Sequence, residues 1–208
     1  MIFDKNEENR IEQLFIKYDF ALKMLETELD ILIREYEYKN KYNPVEHTKS
    51  RIKSKESAIK KLEKKQREIT ADNIIKNVHD MIGIRIVCSF LSDVSDIVNI
   101  IKNSKHLKVK SEKDYITTPK ETGYISYHII VLVPIYLNET TEYVEAEIQI
   151  RTIAMDFWAT LDHKIRYKFD EQIPEEVQTE MYNCSLDIKS LDNKMQKLND
   201  IMKKYNVD

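Results

Sequence analysis

Glycine is almost missing. Only two of the 208 residues are glycine, Gly83 and Gly123. A Walker-type or dinucleotide-type phosphate loop needs several backbone positions free of a Cβ, so neither can be built here. Each glycine is expected where a side chain would obstruct something. Cysteine is as scarce: Cys88 and Cys184 lie far apart with no paired spacing, which excludes a disulfide framework and a zinc knuckle. Cys88 closes an apolar strand-like run and Cys184 falls on an apolar helical seam, so both are expected to be buried fillers. No run of about 18 apolar residues occurs, and the opening MIFDKNEENR lacks a signal-type apolar core, so a cytoplasmic location without membrane contact is expected. Charge of one sign is not in excess overall: 33 Lys+Arg against 36 Asp+Glu leave −3. That balance alone predicts no nucleic-acid or membrane partner.

What is present is unevenly spread. Residues 49–68 carry nine Lys/Arg against three Glu, a net +6, so the remainder sums to −9. A local basic patch on an acidic chain points to one phosphorylated ligand rather than a general affinity for polyanions. Hydrophobic residues make up 42%, enough for a real core.

The patterning predicts a long helix over 7–40, with Ile11, Phe15, Tyr18, Leu22, Leu25, Leu29, Leu32 and Tyr36 in a heptad seam that Asn43-Pro44 ends. Helical character returns at 56–68 and 72–78. MIGIRIVCSF then reads as a strand with Ile82, Ile84, Ile86 and Cys88 on one face and Gly83, Arg85 and Val87 on the other. A helix near 93–103, a strand near 107–115, the loop ITTPKETGY and two strands joined at Asn138-Glu139 follow. In the second of these, Val144, Ala146, Ile148 and Ile150 face the core and Glu145, Glu147, Gln149 and Arg151 face away. Thr152 caps the next helix, with Trp158 and Leu161 inward, and Pro174 opens a last helix whose seam runs through Val177, Met181, Cys184, Ile188, Leu191, Met195, Leu198 and Met202. The expected architecture is α+β: one domain over 1–208, a mixed central sheet flanked by helices in a core of about 19–168, and a helical extension over 174–206. The two seams are expected to pack within the subunit, with oligomer contacts as the alternative.

Phosphoryl or pyrophosphoryl transfer needs cations around a polyphosphate, one or two carboxylates for Mg²⁺, and a group to relieve the attacking hydroxyl of its proton. Arg51, Lys53, Ser57, Lys61 and Lys64 offer the cations and a hydroxyl; the last three share a helix face. Taken alone, that stretch is more commonly a solvated lysine-rich helix. Asp80, just before a strand, and Glu147, within one, offer the carboxylates. Gly83 beside Arg85 leaves room over the sheet for a flat base. The His79-Asp80 pair resembles the dipeptide of metal-dependent phosphohydrolases, but His47, His106, His128 and His163 supply no matching pattern, so chance explains it.

In this order, RIKSKES (51–57), VHDMIGIRIVCSF (78–90), DYITTPKETGYISYH (114–128) and EIQIRTIAMDFWATLDHKIRYK (147–168) resemble the synthetase domain of the RelA/SpoT family, and most closely its stand-alone small alarmone synthetases. The resemblance implies a nucleotidyltransferase-like fold and transfer of pyrophosphate from ATP to the 3′-hydroxyl of GDP or GTP, making ppGpp or pppGpp and AMP. It implies that Arg51, Lys53, Ser57, Lys61 and Lys64 hold the ATP phosphates and ribose region, that Arg51 and Arg85 sandwich adenine, and that Asp80 and Glu147 bind Mg²⁺. Glu147 also activates the hydroxyl. Tyr124 stacks on guanine, Lys120 and His128 lie near the acceptor's phosphates, and Gln149 supports the acceptor side. A homotetramer with a bound allosteric alarmone is the family precedent. Two departures stand out: Ile125 where the family usually has arginine, which weakens the grip on the acceptor's phosphates or shifts preference among GMP, GDP and GTP, and Lys64 where an arginine fork is common. No hydrolase domain accompanies these blocks, so synthesis without cleavage is expected. The competing reading is a non-catalytic homo-oligomer that binds alarmone or single-stranded RNA through the same basic cleft.

Overall fold

The computed structural model describes residues 5–169 and 172–205. Its elements run α1 (Lys5–Asn40), β1 (Val45–Ile52), α2 (Lys55–Lys64), α3 (Ala71–Asn77), β2 (Ile82–Cys88), α4 (Leu91–Lys102), β3 (Lys108–Asp114), β4 (Tyr127–Tyr136), β5 (Thr141–Thr152), α5 (Ile153–Lys168) and α6 (Glu175–Lys204). The strands form one five-stranded sheet in the order β1-β2-β5-β4-β3; β2 and β5 are parallel and every other neighbouring pair is antiparallel. The mixed α+β architecture expected from the patterning is the one observed, with long helices at both ends of the chain. Asn206, the last residue of the expected helical extension, lies outside the described residues.

The core lies under one face of the sheet. Ile82, Ile84, Ile86 and Cys88 on β2 and Val144, Ala146, Ile148 and Ile150 on β5 are buried there as their alternation requires, covered by α1 and α4. The buried stripe of α1 is Ile11, Leu14, Tyr18, Ala21, Leu25, Leu29 and Ile33. It drifts from the expected heptad seam, leaving Phe15 and Leu22 only partly buried. The reason is geometric: a straight helix on a flat sheet presents a 3.6-residue period, and only a supercoiled one keeps 3.5. Tyr36 and Tyr42 fasten this layer, donating their hydroxyls to Asp96 (2.6 Å) and Asp93 (3.0 Å) on α4.

β1 has no apolar alternation, and the patterning assigns no element to it. VEHTKSRI is exposed along most of its length and is held as an edge strand by its backbone ladder to β2. The helix expected over 56–68 stops at Lys64. Thr152 Oγ1 accepts from the Met155 N–H at 3.1 Å, the expected cap.

Two expectations at the C-terminal end fail together. Cys184 is exposed rather than buried, and Leu161 is 39% exposed. On α6 the residues turned inward are polar: Ser185, Asp192 and Asn199, each seven residues from the next. Asp192 accepts from Thr152 Oγ1 (2.8 Å), and the neighbouring Gln196 Oε1 takes the Ser92 N–H (2.9 Å). Leu186, Leu191, Met195, Leu198, Ile201 and Met202 face outward, each 41–51% exposed. The expected seam thus flanks the buried stripe instead of forming it: Val177, Met181 and Ile188 are half-buried, and its C-terminal part, from Leu191 on, is open.

Ser185 also explains Gly123. That residue has φ +85°, the left-handed region that side chains avoid, and a Cβ on it would stand 2.8 Å from Ser185 Cβ. Gly123→Ala is expected to cost about 1–3 kcal/mol in thermal unfolding. Ser185→Gly in the same chain relieves the collision but not the dihedral strain, and therefore recovers only part of the loss.

Candidate functional site

Backbone register assembles the polar face. Arg51 lies opposite Gly83, and Gly83 is level with Glu147. The next level is a row across all five strands: Lys49, Arg85, Gln149, His128 and Lys113. Residues in register share a face, so these side chains project from one surface. The Lys53 N–H donates to Met81 O at 2.8 Å, which pins the end of β1 beside the turn holding Asp80. Asp80 then accepts from Lys53 Nζ at 2.9 Å and Lys61 Nζ at 2.7 Å. Burial pushes this carboxyl up, but its two lysine partners outweigh that and hold it down at about 2.

Two hollows open on this face. One, of about 440 Å³, is lined by basic groups from five elements or turns, among them Lys61, His79, Lys110, Lys120 and His128. The other, of about 240 Å³, lies over Lys49, Arg51, Gly83, Arg85 and Gln149. Asp80 and Glu147 line both, forming their common wall. The space over Gly83 is not vacant: Arg51 Cγ and Nε come to 3.8 Å of where a Cβ would stand, so Arg51 lies across the strand there.

Glu147 is held through both oxygens. His128 Nδ1 is 3.1 Å from Oε1, and Gln149 Nε2 donates to Oε2 at 2.7 Å. His128 Nε2 meets the Tyr124 hydroxyl at 2.8 Å. Arg151 Nη2 donates to that hydroxyl and, at 2.6 Å, to Gln149 Oε1. Arginine only donates, so the Tyr124 oxygen accepts from Arg151, while the same hydroxyl and His128 Nε2 share a second hydrogen bond. The result is a closed ring, Arg151–Tyr124–His128–Glu147–Gln149. Burial and the charge of Asp80 raise the Glu147 carboxyl, while His128 and Gln149 lower it; the net direction is down. Both candidate carboxylates are therefore ionised at neutral pH.

Arg151 is the hub. It is 3% exposed and also bonds Ser126 Oγ (3.2 Å) and Asp156 Oδ1 (3.3 Å). Asp156, at the start of α5, takes Arg85 Nη1 at 3.0 Å as well. Burial, followed by the neighbouring Arg151, pushes the Arg85 guanidinium down, and its Nε is buried without a partner. Tyr124 is edge-on to Tyr115 and His128, with Lys120 Nζ 4.7 Å from the ring centres of both tyrosines.

The structure thus brings together Arg51, Lys53, Lys61, Asp80, Arg85, Lys120, Tyr124, His128, Glu147 and Gln149. Ser57 and Lys64 sit on α2 and line neither hollow; Ser57 instead takes part in the N-cap with Ser54 (3.1 Å). Ile125 is 5% exposed and lines a separate hollow with Lys120, Tyr182, Ser185 and Leu186. His79 donates no phosphohydrolase cluster, and its Nδ1 lies 2.8 Å from Glu145; among the described residues no three His, Cys, Asp or Glu side chains gather as a metal group. Arg151, Asp156 and Tyr115 were not singled out by sequence reasoning. Arg151 had a signal, as the one cation on the Glu-Glu-Gln-Arg strand face. Asp156 and Tyr115 had none, since each owes its place to the packing of a loop or helix against the sheet.

One sheet face thus carries two adjoining cation-lined hollows that share a wall of two ionised carboxylates. The family model described as "Region found in RelA / SpoT proteins" matches residues 50–172. The chain belongs to the RelA/SpoT family. It is 47% identical to the Bacillus subtilis GTP pyrophosphokinase YwaC over 86% of its own length and 85% of that protein's. To the B. subtilis GTP pyrophosphokinase YjbM it is 33% identical, covering 92% and 90%. Among solved structures, the small alarmone synthetase 1 of B. subtilis bound to its product pppGpp superposes with a TM-score of 0.82, 33% identity and coverage of 90% and 95%. The small alarmone synthetase 2 of the same organism gives 0.81, 44% identity, 91% and 97%.

Proposed function

We propose that this chain transfers pyrophosphate from ATP to the 3′-hydroxyl of GDP or GTP, forming ppGpp or pppGpp and AMP. The observation that carries the reading is the position of Asp80 and Glu147, ionised, on the wall common to two cation-lined hollows. Relatives covering most of the chain bear the name GTP pyrophosphokinase, which accords with it. A non-catalytic binder of alarmone or RNA has no use for two carboxylates kept ionised beside the anion seats.

In this mechanism ATP lies over the smaller hollow, its base between the guanidinium groups of Arg51 and Arg85. Lys53 and Lys61 turn from Asp80 alone to share their charge with the phosphates, and Ser57 and Lys64 on α2 close on the same tail. The acceptor lies over the larger hollow, with guanine against Tyr124, phosphates near Lys120 and His128, and Gln149 on its ribose side. Glu147 takes the proton as the 3′-oxygen bonds the β-phosphorus; the bond from that phosphorus to the α-phosphate bridging oxygen breaks, and AMP leaves. The donor set fits Mg²⁺, which takes one or two carboxylates and fills its shell with phosphate oxygens and water. Asp80 and Glu147 would hold it, and it would neutralise the polyphosphate. Labelled ATP, resolved by thin-layer chromatography, is expected to give AMP and a 3′-pyrophosphorylated guanine nucleotide in equal amounts. AMP formed without an acceptor, or none at all, overturns the reading.

The outward face of α6 covers a second copy of the chain in this reading, consistent with its row of exposed Leu, Ile and Met; a homotetramer and an allosteric alarmone site follow by family precedent. Light scattering is expected to show an oligomer at micromolar concentration. Leu191→Glu with Leu198→Glu, both on that face, is expected to reduce it to monomer.

A further inference from the structure

The larger hollow contains a carboxylate that the reaction does not use. Glu145 lies two residues before Glu147 on the same strand face, and its two oxygens are divided between two nitrogen groups on different elements. Oε2 lies 2.8 Å from His79 Nδ1, on the turn before β2, and Oε1 accepts from Lys110 Nζ on β3. All three side chains remain open to the hollow, at 23%, 50% and 46% exposure. An ammonium and an imidazole converging on two oxygens of one anion are also what a terminal phosphate would seek. Glu145 therefore sits in an anion seat.

The charges around it are not matched in the same way. Asp80 is met by Lys53 and Lys61, Glu112 by Lys102, and Glu147 by His128 and Gln149. Lys113 and Lys120 line the hollow and have no carboxylate partner among the described residues. Lys113 is level with His128, beside Tyr124, whereas Glu145 is level with Leu132, four residues along β4. That is about 13 Å at the rise of a strand. The unmatched lysines stand at the aromatic end, and the occupied seat stands at the far end.

We infer that Glu145 is a charge gate that sets how long a 5′-phosphate chain the acceptor can carry, and that it disfavours the triphosphate. This rests on the proposed pyrophosphokinase reading. A short 5′ chain is neutralised by Lys113 and Lys120 and stops short of Glu145. The last phosphate of a longer chain reaches toward Lys110 and His79, where a fixed carboxylate already holds both donors and repels the newcomer. Specificity of this kind comes from a repulsive element, not from a better contact.

The test is Glu145→Gln, which keeps the shape and removes the charge, assayed with ATP against GMP, GDP and GTP in turn. The ratio of kcat/KM for GTP to that for GMP is expected to rise about tenfold, the size of effect that one nearby charge exerts on a polyanion in a half-exposed site. Lys110→Gln is expected to move the same ratio down, because it removes the donor and leaves the gate. An equal change for all three acceptors, or a fall in the ratio for Glu145→Gln, overturns the inference and leaves Glu145 as a brace between β3 and β5. Calorimetric binding of GMP and GTP without ATP is read in parallel. If the wild type forms no AMP yet Glu145→Gln tightens GTP binding over GMP binding about tenfold, the gate stands and the transfer reading falls. If AMP forms and neither ratio moves, the gate falls alone.

Discussion

Glu147→Gln is expected to lower kcat for AMP release by about 10³-fold, the contribution typical of a positioned proton acceptor. The substitution conserves volume, so the loss is one of chemistry. Each Glu147 oxygen now accepts a hydrogen bond, from His128 on one side and Gln149 on the other. A glutamine there can accept from one of them only, and its NH₂ must face a donor. The amide also cannot take the proton of the attacking hydroxyl or contribute charge to a divalent ion. ATP binding over Arg51, Arg85 and the lysines is expected to persist, since none of those side chains bonds Glu147. A melting temperature near the wild-type value, unchanged ATP binding by calorimetry and loss of AMP would place the defect in the chemical step. Retention of more than a tenth of the wild-type kcat would remove Glu147 from the proton-transfer role.

The fold was legible where burial and period coincide. The facing of β2 and β5 is read correctly because their two faces differ, one apolar and one mostly polar, and a slip of one residue would exchange them; the ends, which no such contrast marks, lie up to two residues away. β1 was illegible because an edge strand is held by backbone bonds that any side chain tolerates. α6 was misread for the opposite reason: its apolar seam is genuine, but Ser185, Asp192 and Asn199 face the subunit, and hydrophobicity cannot say which side of a helix meets its own chain. Residues named from recognisable blocks, such as Asp80, Glu147 and Tyr124, lie together at the polar sheet face. What the blocks withheld was orientation. Ile125 lies in the same tripeptide as Tyr124, yet successive residues of an extended segment point in opposite directions, so one enters the site and the other packs under α6.

The largest consequence of that hidden geometry concerns Arg151. Arg151→Met is expected to destabilise the fold by about 3 kcal/mol, since removing one partner from a buried ionic cluster leaves the others unpaired. For a chain of this size that corresponds to roughly 6–12 °C in melting temperature. Asp156 would keep only Arg85, and the acceptors on Ser126, Tyr124 and Gln149 would lose their donor together. Arg151→Lys is expected to recover part of the stability but little activity, because a single ammonium cannot span acceptors that the guanidinium fork reaches on several sides. The decisive measurement is a pH profile well below the melting temperature. Burial raises the Glu147 carboxyl, and His128 first and then Gln149 bring it down. Once Arg151 no longer orients Tyr124 and Gln149, those two supports loosen while the burial remains, so the Glu147 pKa rises. Glu147 must be ionised to accept a proton, and the acid limb of kcat therefore moves to higher pH in Arg151→Met. An unmoved limb with a lower melting temperature would mean that Arg151 only braces the fold, and that Glu147 finds its orientation without the ring.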